Sequence, residues 1–161
     1  MGSSRARRTF LTWLLLTLLV AGGIYWFSSQ SASQSDAVSR GLLQRLLQAL
    51  FGASYRVQLY RMHHYFRKLA HFVEYALLGV CLAGTFRCQK RVPPLAAAIV
   101  TGFLYAATDE LHQHFVAGRG PQFKDVLLDT CGVAVGALLL LLIVRLLRRL
   151  RGQSHRDTKT L

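Results

Sequence analysis

Three short stretches carry most of the residues that could do chemistry in this chain: Arg67-Lys68-x-x-His71-x-x-Glu74, Asp109-Glu110-x-His112-Gln113-His114 and Asp125-x-x-x-Asp129. If each stretch is helical, the pairs His71/Glu74, Asp109/His112, Asp109/Gln113 and Asp125/Asp129 stand three or four residues apart. Each pair then shares one side of its helix. Two chemistries are open to such a set. In the first it binds an anion: Arg67, Lys68 and Arg119 grip phosphate or carboxylate, Glu74, Asp109 and Asp129 hold those cations in place, and Gln113 and Asp125 add polar contacts suited to sugar or amide groups. In the second it is catalytic, with His71, Glu74, Asp109, Glu110 and His112 as general acids and bases or as ligands of a divalent metal such as Zn or Mn. Neither a His-Glu-x-x-His nor a Cys-x-x-Cys motif occurs, so no metal ligands are assigned and the cofactor is left open.

The elements that must position these groups follow from composition. The chain has 161 residues, 52% of them apolar, and twenty Lys and Arg against seven Asp and Glu, a formal net charge of +13. Disorder is excluded by the apolar fraction and a disulfide scaffold by the three cysteines. A charge of this size could suit nucleic acid, but its distribution argues against that partner. Four apolar runs, 10–27, 69–86, 92–108 and 126–144, contain none of the basic residues and only two acids, Glu74 and Asp129. At about 1.5 Å per residue each run reaches roughly the 30 Å of a bilayer core. The expected architecture is an all-α, four-helix transmembrane bundle, a single membrane domain over residues 1–161.

Between the runs, residues 28–68 form an exposed connection that opens with Ser, Gln and Ala. Within it Leu42, Leu43, Leu46, Leu47, Leu50 and Phe51 recur at helical spacing, which predicts an additional amphipathic helix lying in the membrane interface. The basic, aromatic stretch 55–66 is expected to continue along the same surface. Residues 87–91 make a tight turn before Pro93-Pro94, a dipeptide suited to a first helical turn. Gly118-Arg119-Gly120-Pro121 marks another turn. Arg5, Arg7 and Arg8 precede the first run as they would in a signal peptide, but Tyr25-Trp26-Phe27 closes it as an interfacial aromatic cluster and predicts an uncleaved span.

Twelve basic residues lie in the two terminal segments and the 87–91 loop, and eight on the other side, mostly spread through the long connection. Dense, short basic flanks favour the cytoplasm, so both termini are expected inside, with 145–161 as a cytoplasmic tail. Cys81, Cys88 and Cys131 lie in spans or near the inner loop and read as reduced structural residues. In a four-span chain the start of the second run, the end of the third and the start of the fourth share one face. Five of the seven acids then converge there, with Ser28 and Ser29 returning to the same side. Carboxylates at or inside a membrane are costly and mark function.

The chain resembles the VanZ-like family of small bacterial membrane proteins. The residues that carry the resemblance are Phe27-Ser28-Ser29-Gln30, Arg67-Lys68-Leu69-Ala70-His71-Phe72-Val73-Glu74-Tyr75, Asp109-Glu110-Leu111-His112-Gln113, Gly118-Arg119, and Asp125-Val126-Leu127-Leu128-Asp129-Thr130-Cys131-Gly132. It covers about residues 10–144. The chain departs from the family's pattern in Ala117, where Pro is usual, and in Asp129, where Asn is common. The family is named for a member linked to teicoplanin resistance. The resemblance implies a cell-envelope role and a lipid-bilayer setting in the bacterial inner membrane, tied to glycopeptide resistance, and leaves the biochemical activity open; Arg67, Lys68 and Arg119 are what point to an anionic lipid or lipid-linked cell-wall precursor as the ligand. An intramembrane hydrolase or transferase acting on such a substrate is the alternative.

Overall fold

The computed structural model describes residues 2–30, 37, 41–45, 48–49, 58–89, 92–116 and 122–157. Every regular element among them is helical. The principal helices are α1 (Gly2–Ser28), α2 (Gln58–Arg87), α3 (Pro94–Gln113) and α4 (Phe123–Asp157). Three of them contain segments long and apolar enough to cross a membrane: Ser4–Ser28, Tyr65–Arg87 and Phe123–Arg151. The expectation of four spans is corrected by this result. The run 92–108 does form a helix, α3, but Ala96, Ala97, Ala98 and Gly102 contribute little apolar surface and Asp109 and Glu110 fall in its closing turns. It therefore lacks a stretch of span length as apolar as those of the other three helices.

Two further boundaries differ from the sequence expectation. Helix α2 begins at Gln58, so residues 58–66 continue the helix instead of forming a separate surface segment. Helix α4 runs through 35 residues to Asp157, because the Leu- and Arg-rich stretch after Val144 contains no Gly or Pro before Gly152 and its residues are good helix formers. Much of the expected tail 145–161 is therefore helical. In the connection, residues 41–45 are helical, with Leu43 buried and Leu42 exposed. The other apolar positions of that expected interfacial helix, Leu46, Leu47, Leu50 and Phe51, lie outside the described residues.

The bundle is centred on α2 and α4, which make its most extensive contact. Small residues set their separation. A Cβ at Gly136 would collide with the Ala76 carbonyl, one at Gly79 with the Val133 carbonyl, and one at Gly132 would come within 2.6 Å of the Phe72 carbonyl. The two backbones therefore touch, the arrangement by which helices gain dispersion contact where lipid removes any hydrophobic drive to associate. Val133 also packs its side chain against Gly102, so one fully buried residue meets α2 through its backbone at Gly79 and α3 through its side chain. Tyr75, Leu78, Leu82, Ala98, Ala106, Val126 and Ala137 complete the core.

Helix α3 starts at the Pro93-Pro94 pair, with Pro94 in the first turn where a missing amide donor costs little, and Ala97 N donates to Pro93 O at 3.0 Å. Helix α1 is the most loosely held. Only 11% of its span is buried, against 44% for α2, and Leu11, Leu15, Leu18 and Leu19 point outward. It is attached by Trp13 over Gly84, by a Thr17–Thr85 hydroxyl hydrogen bond of 3.1 Å, and by Tyr105 Oη donating to Ala21 O at 2.6 Å.

Candidate functional site

The end of α1, the first third of the α2 span, the end of α3 and the start of α4 meet at one end of the bundle. Asp109 is the centre of the contacts. Its Oδ2 accepts from Ser28 Oγ on α1 at 2.8 Å and from Gln113 Nε2, one turn further along α3, at 2.9 Å. Gln113 Nε2 also reaches Ser28 Oγ at 3.4 Å. Ser28, Asp109 and Asp129 are all buried, at 0%, 5% and 5% exposure. The first-turn position of Asp125 places a carboxylate at the positive end of α4. Lys68 Nζ on α2 pairs with Asp125 Oδ1, and both side chains remain about a third exposed.

Asp129 lies within electrostatic range of Asp109, Asp125, Glu110 and Glu74. The five carboxylates singled out by spacing therefore belong to one neighbourhood drawn from three helices. Glu110 is buried and accepts from the backbone amide of Gln122, which ties the end of α3 to the segment leading into α4. His71 Nδ1 stands 3.8 Å from Glu74 Oε2 on the same helix, as the i,i+3 spacing requires. His112 is turned toward α1 instead. Its ring centroid is 4.8 Å from that of Tyr25, and its Nε2 is 3.2 Å from Ser29 Oγ.

Polar atoms are left over in this neighbourhood. Among the described residues, Asp109 Oδ1, Asp129 Oδ1 and Tyr75 Oη are buried without a hydrogen-bond partner. The Tyr75 hydroxyl interacts electrostatically with both carboxylates and sits beside Asp109 without completing a hydrogen bond. Its ring centroid is 6.2 Å from that of Tyr105. Each buried polar group left unpaired costs about 1–3 kcal/mol, so three together need a physical account.

The tentative catalytic set is thus divided: Asp109 and Glu110 are buried on α3, His71 and Glu74 pair on α2, and His112 faces α1. Among the described residues no group of three or more His, Cys, Asp and Glu is disposed to hold a metal ion. Of the ligand-binding set, Lys68, Gln113, Asp125 and Asp129 occupy this end of the bundle, and Arg67 adjoins them, partly buried, on α2. Arg119 lies outside the described residues. Sequence reasoning gave no role to Tyr105, and named Tyr75 and Ser28 among the residues that carry the family resemblance without giving either a contact in the site. A usable signal was present for Tyr75, which precedes Gly79 by four residues as Asp129 precedes Val133. That spacing places it on the face of α2 that meets α4.

A family model described as VanZ/LLP1 matches residues 13–145. No curated protein and no solved structure matches the chain.

Proposed function

The chain belongs to the VanZ/LLP1 family, and from that premise we propose that its polar end binds the anionic headgroup of a lipid or lipid-linked cell-envelope precursor. The observation that supports this most is the Lys68–Asp125 pair, with Arg67 beside it, over a buried floor of carboxylates. Acids below and cations at the rim fix the cations where a phosphate arriving from the bilayer would meet them. In this reading the protein resides in the bacterial cytoplasmic membrane with both termini inside. On the same reading α3, packed against α2 and α4, crosses together with the three apolar segments, which makes the number of crossings even and turns the polar end outward. Holding a precursor there would withhold it from a glycopeptide of the teicoplanin type and so contribute to resistance.

The test is lipid retention. Detergent-purified protein should carry a phosphate-bearing lipid detectable by mass spectrometry. Combined Arg67→Gln and Arg119→Gln substitutions should lower its occupancy about tenfold or more, the effect of losing charge-assisted hydrogen bonds. Unchanged occupancy in the double variant would sink the proposal.

One observation favours a second reading, an intramembrane hydrolase or transferase: the buried Ser28 hydroxyl donates to Asp109, a pairing that could place a nucleophile next to a base. Glu74→Gln separates the two. A lipid-linked substrate that accumulates in cells carrying the variant speaks for turnover, whereas its loss from the purified variant speaks for binding.

A further inference from the structure

The unpaired atoms at the polar end form a set with a chemical meaning. Asp109 Oδ1, Asp129 Oδ1 and Tyr75 Oη come from α3, α4 and α2, are fully enclosed, and interact with one another. All three can accept a hydrogen bond, and two belong to carboxylates. The other oxygen of Asp109 is already occupied by Ser28 and Gln113, and Lys68 is engaged by Asp125 at the rim. No cation among the described side chains is recorded against the three atoms. The group that complements buried, unpaired acceptors on three neighbouring helices and an excess of negative charge carries three N–H donors and one positive charge.

We propose that this triad is a subsite for a primary ammonium group. The inference rests on the reading of the polar end as a headgroup site and adds a second half to the ligand. The rim cations take a phosphate, and the buried carboxylates take an amine a short linker away, as in an ethanolamine headgroup. A quaternary ammonium has no N–H and leaves all three acceptors unpaired, so it is discriminated against. Entry is past the end of α1. That helix is the least buried of the membrane-spanning segments, and near the triad it closes the site with Ser28 and the Tyr105–Ala21 hydrogen bond.

The experiment offers detergent-purified protein an equimolar mixture of phosphatidylethanolamine, phosphatidylcholine and phosphatidylglycerol and measures retained lipid by mass spectrometry. Phosphatidylethanolamine is expected to exceed phosphatidylcholine by about tenfold, the effect of charge-assisted hydrogen bonds that the methylated headgroup cannot make. Asp129→Asn should erase that preference, and Tyr75→Phe should reduce it, while both variants keep the wild-type elution profile. A parallel thermal scan of lipid-free protein in ammonium, sodium or tetramethylammonium chloride distinguishes a headgroup from a free ion as the source. Stabilisation by ammonium alone supports the subsite even without lipid preference. Equal retention of the two zwitterionic lipids together with equal salt effects overturns the proposal, as does a preference that survives Asp129→Asn. If phosphatidylglycerol is then retained and lost with Arg67 and Arg119, headgroup binding stands while the ammonium subsite falls. If no lipid is retained and no salt effect is specific, both fall.

Discussion

The seam between α2 and α4 and the polar end only a turn away are built on opposite principles. In the seam, Gly79, Gly132 and Gly136 let backbones touch, and the Val133 side chain fills the space left at Gly102. At the polar end, three enclosed atoms have no partner and five acids share one neighbourhood. Stability is concentrated in the first region, and on the proposed reading the capacity to bind lies in the second, the division expected when a site must stay under-satisfied to accept a ligand.

The contrast can be broken from the seam side first. Gly136→Val drives a branched side chain into the Ala76 carbonyl and should cost about 3 kcal/mol, the upper range for overpacking, with an aggregated or strongly destabilised product in detergent thermal scans. A variant that melts like the wild type would mean that the helices are not in backbone contact. Asp109→Ala comes next. It strands the Ser28 hydroxyl and the Gln113 amide, and a loss of about 2 kcal/mol is expected from the unpaired donors. The smallest effect has the opposite sign. Asp129→Asn replaces a buried carboxylate, crowded by four others, with a neutral amide that can donate as well as accept, and should raise the melting temperature by the equivalent of about 1 kcal/mol. A destabilised Asp129→Asn would show that the buried charge is compensated in the free protein and would blur the distinction between the two regions.

Helical class and the grouping of acids were legible because both rest on strong signals: long apolar runs and scarce carboxylates at i,i+3 and i,i+4 spacing. The number of membrane-crossing helices was less so. Residues 92–108 look apolar because alanine is counted with leucine, yet three alanines and a glycine present little surface, and the glycine, Gly102, serves to admit Val133. Helix ends were read at the edges of hydrophobicity, whereas the helices continue through the polar and basic residues 58–66 and 145–157, whose backbones can be helical without being apolar. Ser28 and Tyr75 escaped assignment because each acts through a contact with another helix, Ser28 across 81 residues of sequence to Asp109. Spacing within one helix contains no information about that.

Val133 has a consequence beyond packing. It follows Asp129 by four residues, while its two glycine contacts stand four residues after Tyr75 and seven before Asp109. One residue, its backbone against Gly79 and its side chain against Gly102, is therefore the common reference for the depths of all three unpaired groups. A thicker or thinner bilayer can tilt α2, α3 and α4 together, but it cannot slide one past another without lifting Val133 out of both notches. The site is thereby insulated from the elastic state of the membrane around it, and only α1, which lies outside this gauge, is left to respond.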